Sequence, residues 1–180
     1  MKKIKSFIKI LLFSILIAGS YGIIHDLITS SICPEYYTKF KFFQFGIMDD
    51  YQRSFRGSLP LMASIVGFLA TWWFGLLIGF ILSVFGLVFK LEDRLFEITL
   101  NSIFLVIIVG IFFGFCAYVF GSLNPNYNLS YNPYEQKIIE IRQFNLVGLI
   151  HNFSYLGGII GLIIGITNQK KNWFLNKLKE

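Results

Sequence analysis

The chain has 180 residues, of which 55% are hydrophobic and 14% charged, and its 16 Lys and Arg outnumber 10 Asp and Glu to give a formal charge of +6. That balance, with a mean hydropathy of +0.64, excludes an ordinary soluble domain. The basic excess fits anionic lipid head groups and makes no case for nucleic acid.

Composition alone does not decide the class, because a surplus of Phe, Ile, Lys, Asn and Tyr also follows from AT-rich coding. Segment length does. A bilayer core needs about 20 apolar residues of helix, and four runs meet that length. After the basic tail 1–6, the first covers about 7–28. It ends in "YGIIHDLITSSICPEYY", where His25 and Asp26 are adjacent and Cys33 and Glu35 follow. Residues 1–22, with Ala18 and Ser20 near their end, also read as a cleavable signal peptide; sequencing the mature N-terminus separates the two.

The loop 25–58 contains "TKFKFFQFGI", either a short strand or an aromatic segment lying on the interface. The second run, 59–89, is about 46 Å long as a helix, more than a bilayer core. Either it protrudes above Trp72 and Trp73, placed at the lipid boundary, or it tilts steeply with both tryptophans in mid-membrane. A basic link, 90–98, leads to the third run, about 99–120. The loop 121–145 opens with turn-forming Asn, Pro and Tyr, and its end, "EQKIIEIRQFN", reads as an outward extension of the fourth run, 146–166. The tail 167–180 is basic. Backbone in lipid must satisfy its own hydrogen bonds, and the runs are continuous rather than alternating, so each is a helix. The expected fold is an all-α membrane protein, a four-helix transmembrane bundle with a small extracytoplasmic cap, forming one domain over 1–180.

Ten basic residues fall on the side of the two tails and the link: Lys2, Lys3, Lys5, Lys9, Lys90, Arg94, Lys170, Lys171, Lys177 and Lys179. The other side has Lys39, Lys41, Arg53, Arg56, Lys137 and Arg142, balanced by six acids. Both termini are therefore expected in the cytoplasm, in a cell (inner) membrane.

Counting about 20 residues outward from the basic end of each run brings His25 and Asp26, Trp72, Cys116 and Tyr118, and His151 and Asn152 to one level. Small residues recur four apart on every run: Ser14, Ala18 and Gly22; Gly67, Gly75 and Gly79; Gly110 and Gly114; Gly157, Gly161 and Gly165. Such faces let helix backbones approach. Intramembrane ionisable groups face the protein interior, which suits His151. Consecutive His25 and Asp26 are expected to point different ways.

A pocket bordered by His25, Asp26, Glu35, Trp72, His151, Asn152 and Tyr155 is the expected site. Imidazole, thiolate and carboxylate also make His25, Asp26 and His151, with Cys33, Glu35 and Cys116, candidate metal donors. No HxxxH, CxxC or HExxH spacing supports this, and the bland alternative is that the histidines bond helix ends and carboxylates. Haem between His25 and His151, or proton transport through His25 and Asp26, are further alternatives, the latter without a midplane charge or internal repeat. Ser154 lacks an activated-serine context. Cys33 and Cys116 are candidates for a disulfide. Sequons at Asn128 and Asn152 carry little. No cofactor is specified, and the partners are the lipid bilayer and a membrane-protein partner or a second copy. The leading expectation is a non-enzymatic binding or accessory protein.

The stretch "HDLITSSICPEYYTKFKFFQFG", with "ATWWFGLLIG" and "HNFSYLGG", resembles an uncharacterised group of small bacterial multi-pass inner-membrane proteins. The resemblance covers all four runs and implies a bacterial inner-membrane location. It brings no catalytic or binding residues with it.

Overall fold

The computed structural model describes residues 2–48, 57–89, 91, 94–124 and 137–178. Four long helices dominate: α1 (Lys2–Ile32), α4 (Leu59–Val88), α5 (Leu95–Leu123) and α6 (Ile141–Lys177), with short helices α2 (Pro34–Tyr36) and α3 (Phe42–Gln44) between the first two. No strand occurs among the described residues. All four long helices have the length and hydropathy to cross a membrane, and large apolar side chains such as Ile8, Leu16, Phe80, Phe112 and Ile163 face outward around them. A surface of that kind is at home in lipid. The protein is an all-α, multi-pass membrane bundle.

Three of the four helices extend beyond the expected spans at both ends, and α4 closely matches its span. The third reaches Leu123, and the fourth begins at Ile141, so "IRQFN" is its first turn. The Asn128 sequon, Arg53, Arg56 and Lys90 lie outside the described residues.

The chain turns at Cys33 for a local reason. A residue before proline is driven to extended backbone, and Cys33 has φ −143° and ψ 95°. Pro34 then opens α2, as suits a residue lacking an N–H. "TKFKFFQFGI" is not a strand: Tyr37–Lys41 form a π-helical turn that runs into α3. Gly46, at φ +67°, closes that helix in a conformation other residues rarely adopt. This cap packs Cys33, Tyr36, Tyr37 and Phe42 against Ala63 and Val66 of α4 and Phe144 and Val147 of α6. The start of α1 and the end of α6 therefore lie at the opposite end of the bundle from the cap.

Lipid offers no hydrophobic drive for helix association, so packing and polar contacts must supply it. The helices pair as α1 with α4 and α5 with α6. In the first pair Gly22 lies against the backbone of Gly67, Gly75 against Ala18, and Gly79 against Ser14. Thr71 Oγ1 adds a bond across the pair, 2.8 Å from the Ala18 carbonyl. In the second, a methyl at Gly157 would stand 2.8 Å from the Val109 carbonyl, and one at Gly161 2.7 Å from Val106 Cα. Gly114 abuts Ser154, Gly165 abuts Leu82 and Ser102, and Gly110 lies opposite Ser154 with more room. Between α1 and α5 contact is sparse, and a groove of about 930 Å³ runs between them.

Far from the cap, a neutral polar layer joins α4, α5 and α6. Gln169 Nε2 donates to the Leu82 carbonyl (2.9 Å) and to Thr99 Oγ1 (3.1 Å). Asn168 donates to Ser102 Oγ at 3.2 Å. Ser83, Thr99, Ser102 and Gln169 are all fully buried.

Candidate functional site

At the cap end the buried polar residues include ionisable ones. Asp26 projects from α1, His151 from α6 and Lys41 from the π turn, and none is more than 5% exposed. Asp26 Oδ1 is 3.1 Å from His25 Nδ1 and 3.2 Å from His151 Nε2. Lys41 Nζ stands 3.6 Å from Oδ2, an ion pair rather than a hydrogen bond. The His25 and His151 rings meet edge to face with centroids 4.6 Å apart, and Tyr36 stacks on His151 at 5.1 Å. The Thr29 and Tyr37 hydroxyls, 2.6 Å apart, close the cap side.

Backbone geometry delivers each group. Asp26 continues the α1 face that carries Gly22, and its Cβ sits where Gly67 has no side chain. The π turn widens the helix by one residue per turn and places both Tyr37 and Lys41 inward. Adjacent His25 and Asp26 were expected to diverge. They do leave the helix in different directions, but the His25 ring folds back to Asp26 while its Nε2 lies 3.3 Å from Ser154 Oγ.

His151 constrains the protons. Its Nδ1 is 2.8 Å from the Val147 carbonyl, which can only accept, so Nδ1 carries hydrogen. Nε2 then faces a carboxylate oxygen. A bare lone pair facing a carboxylate would be repelled, so the contact requires a proton between them, on the ring or on the carboxyl, or a cation shared with Asp26.

In the cap, burial pushes the Lys41 amine below its ordinary value, and Asp26 only partly offsets this. Burial pushes Tyr36 and Tyr37 upward, with the Asp26 charge adding to it. The Cys33 thiol is likewise raised by burial. Glu35 differs: burial opposes its charge, but the Glu140 N–H, the Lys39 ammonium and the Ile139 N–H together hold it below the usual carboxylate range. Its Oε2 accepts from Ile139 (2.9 Å) and Glu140 (2.7 Å), just before α6, where a negative charge suits the helix dipole. Lys39 binds both Glu35 and the Lys137 carbonyl. Glu35 fastens the cap to α6; it is not part of the pocket.

His25, Asp26, His151 and Tyr155 surround one cavity of about 50 Å³, with Tyr21, Phe74 and Ser154. Tyr155 Oη points at the Ala70 carbonyl, 3.5 Å away. Trp72 and Asn152 are exposed on the outer faces of α4 and α6; Phe74 is the aromatic that turns inward. Cys33 and Cys116 are free thiols, the first buried and the second exposed, so the disulfide is not formed. Haem between the histidines does not fit: rings in edge-to-face contact leave no plane for a porphyrin. A metal ion does fit the donor set, since one atom from each of His25, Asp26 and His151 lies within 4.8 Å of the others. Sequence reasoning missed Lys41, whose inward direction depends on the segment being helical, with buried Tyr37 four residues before it on the same face.

The groove between α1 and α5 meets this cluster. Its walls are mostly apolar, including Leu16, Ile24, Ile28, Ile111 and Phe115, and part-way along its length it meets Tyr21, His25, Thr29 and Ser154. His25 borders both groove and cavity. Comparison with family models, curated proteins and solved structures found no match.

Proposed function

We propose that this is a non-enzymatic binding or accessory protein of the bacterial inner membrane, with both termini cytoplasmic, and that its ligand is an amphiphile drawn from the bilayer. The apolar tail lies in the groove between α1 and α5, and the polar head reaches His25, Tyr21 and Ser154. The observation that carries this is His25 itself. It is the ionisable side chain on the wall of a groove of about 930 Å³, part-way along its length, and is held by a buried carboxylate at 3.1 Å. A groove flanked by exposed Ile24, Ile28 and Ile111 opens to the lipid side, so a lipid enters it without crossing water.

Native mass spectrometry of the purified full chain, with extraction and identification of retained lipid, tests this. Ile111→Trp and Ile24→Trp fill the groove from exposed positions and should remove the retained amphiphile; His25→Leu should weaken its retention. Retained lipid that matches the bulk membrane, or that is unchanged in both tryptophan variants, overturns the proposal.

A further inference from the structure

We propose that Asp26, His151 and His25 form a binding site for a divalent transition-metal ion of the zinc type, independent of what fills the groove. Ligands of a tetrahedral zinc at about 2.1 Å lie about 3.4 Å from one another. Asp26 Oδ1 is 3.1 and 3.2 Å from the two imidazole nitrogens, so small shifts open the cluster around an ion.

The orientation of His151 is the second argument. Histidine ligands usually donate their other ring N–H to a carbonyl or carboxylate, which fixes the ring and aims the free lone pair. His151 Nδ1 does this toward Val147, a residue of its own helix one turn away, at 2.8 Å. Nε2 is left facing Asp26 in a site where neither is more than 4% exposed, and a cation there resolves the contact between lone pair and carboxylate.

The donor chemistry selects the ion. Two imidazoles and a carboxylate suit zinc, cobalt, nickel or ferrous iron; copper(I) prefers the sulfur ligands absent here. Lys41 is the opposing charge. Its ammonium lies on the far oxygen, Oδ2, at 3.6 Å, leaving Oδ1 to the ion while limiting affinity. Three protein donors leave a coordination position open, and the adjacent cavity of about 50 Å³ has room for water or a ligand group there.

The test is metal content of the full chain, purified in detergent without chelator and equilibrated with Zn²⁺, and the visible absorption of Co²⁺ bound in its place. The expected result is about one ion per chain and cobalt bands of low-symmetry N/O coordination, with His151→Gln and Asp26→Asn weakening binding about tenfold or more. Those residues also pack the core, so His25→Gln supplies the check: it is partly exposed, and should keep the wild-type elution and helical circular dichroism while losing the cobalt bands. Ile111→Trp should leave the ion in place, which separates failure of this proposal from failure of the lipid one. Substoichiometric zinc in the wild type, or occupancy equal to the wild type in folded His25→Gln and His151→Gln, overturns it.

Discussion

The bundle has two buried polar regions, one at each end, and they are built from different chemistry. Away from the cap, Gln169, Thr99, Ser102 and Asn168 link three helices through neutral amides and hydroxyls. Beneath the cap, a carboxylate, an ammonium and two imidazoles meet on Asp26. Neutral groups suffice to join helices in lipid, each bond contributing about 0.6 kcal/mol on average. Ionisable groups cost several kcal/mol each to desolvate, which helix joining alone does not call for.

Breaking each region should therefore differ in size. Asp26→Leu leaves the Lys41 ammonium buried without its counter-charge and should cost about 3 kcal/mol or more, with Asp26→Leu/Lys41→Met recovering part of it; melting of the purified protein in detergent measures both. Gly75→Leu, which touches neither polar region directly, forces α1 away from α4 because its Cβ would run into the Ser14 carbonyl. The expected loss is about 2 kcal/mol, seen in the same melt. Gln169→Leu removes the neutral layer's central donor and should cost about 1 kcal/mol or less. A loss as large as that from Asp26→Leu would erase the distinction between the two ends.

The smallest effect sharpens the comparison by pH. Because the folded-state value of Glu35 is depressed, its contribution is complete above the ordinary 4.5 and fades as pH falls through the lowered value. Stability should thus drop in acid below about 4.5 for the wild type, and the part of that drop due to Glu35 should vanish in Glu35→Gln. At neutral pH that substitution should cost a few tenths of a kcal/mol, as expected for a partly exposed charge. Melts across the acid range decide it.

Much of the fold was legible because lipid imposes one rule on backbone and one on length, and four unbroken apolar runs satisfy both. The ends of the helices were less legible, since polar residues such as Ser30, Ser31 and Arg142 continue a helix as readily as they leave it. Counting from the basic ends brought His25 and His151 to one level, and the structure sets their rings 4.6 Å apart. Trp72 misled, because preference for an interface says nothing about which face of α4 a ring occupies; Phe74, two residues on, lines the cavity. Lys41 could not be read at all. Alternating Lys and Phe suggest a strand, and only helical winding, which brings residues four apart to one face, puts the second lysine inward beside Tyr37.

The π turn sets how its segment tolerates changes in length. A π turn carries one residue more than the α turn it replaces, so deleting one residue among 38–40 would let the segment relax to an ordinary α-helix with Lys41 still near the side of the carboxylate. A single-codon deletion there should therefore be tolerated better than an insertion, which has no tighter turn to absorb it, so the spacer between Pro34 and Lys41 holds slack in one direction only.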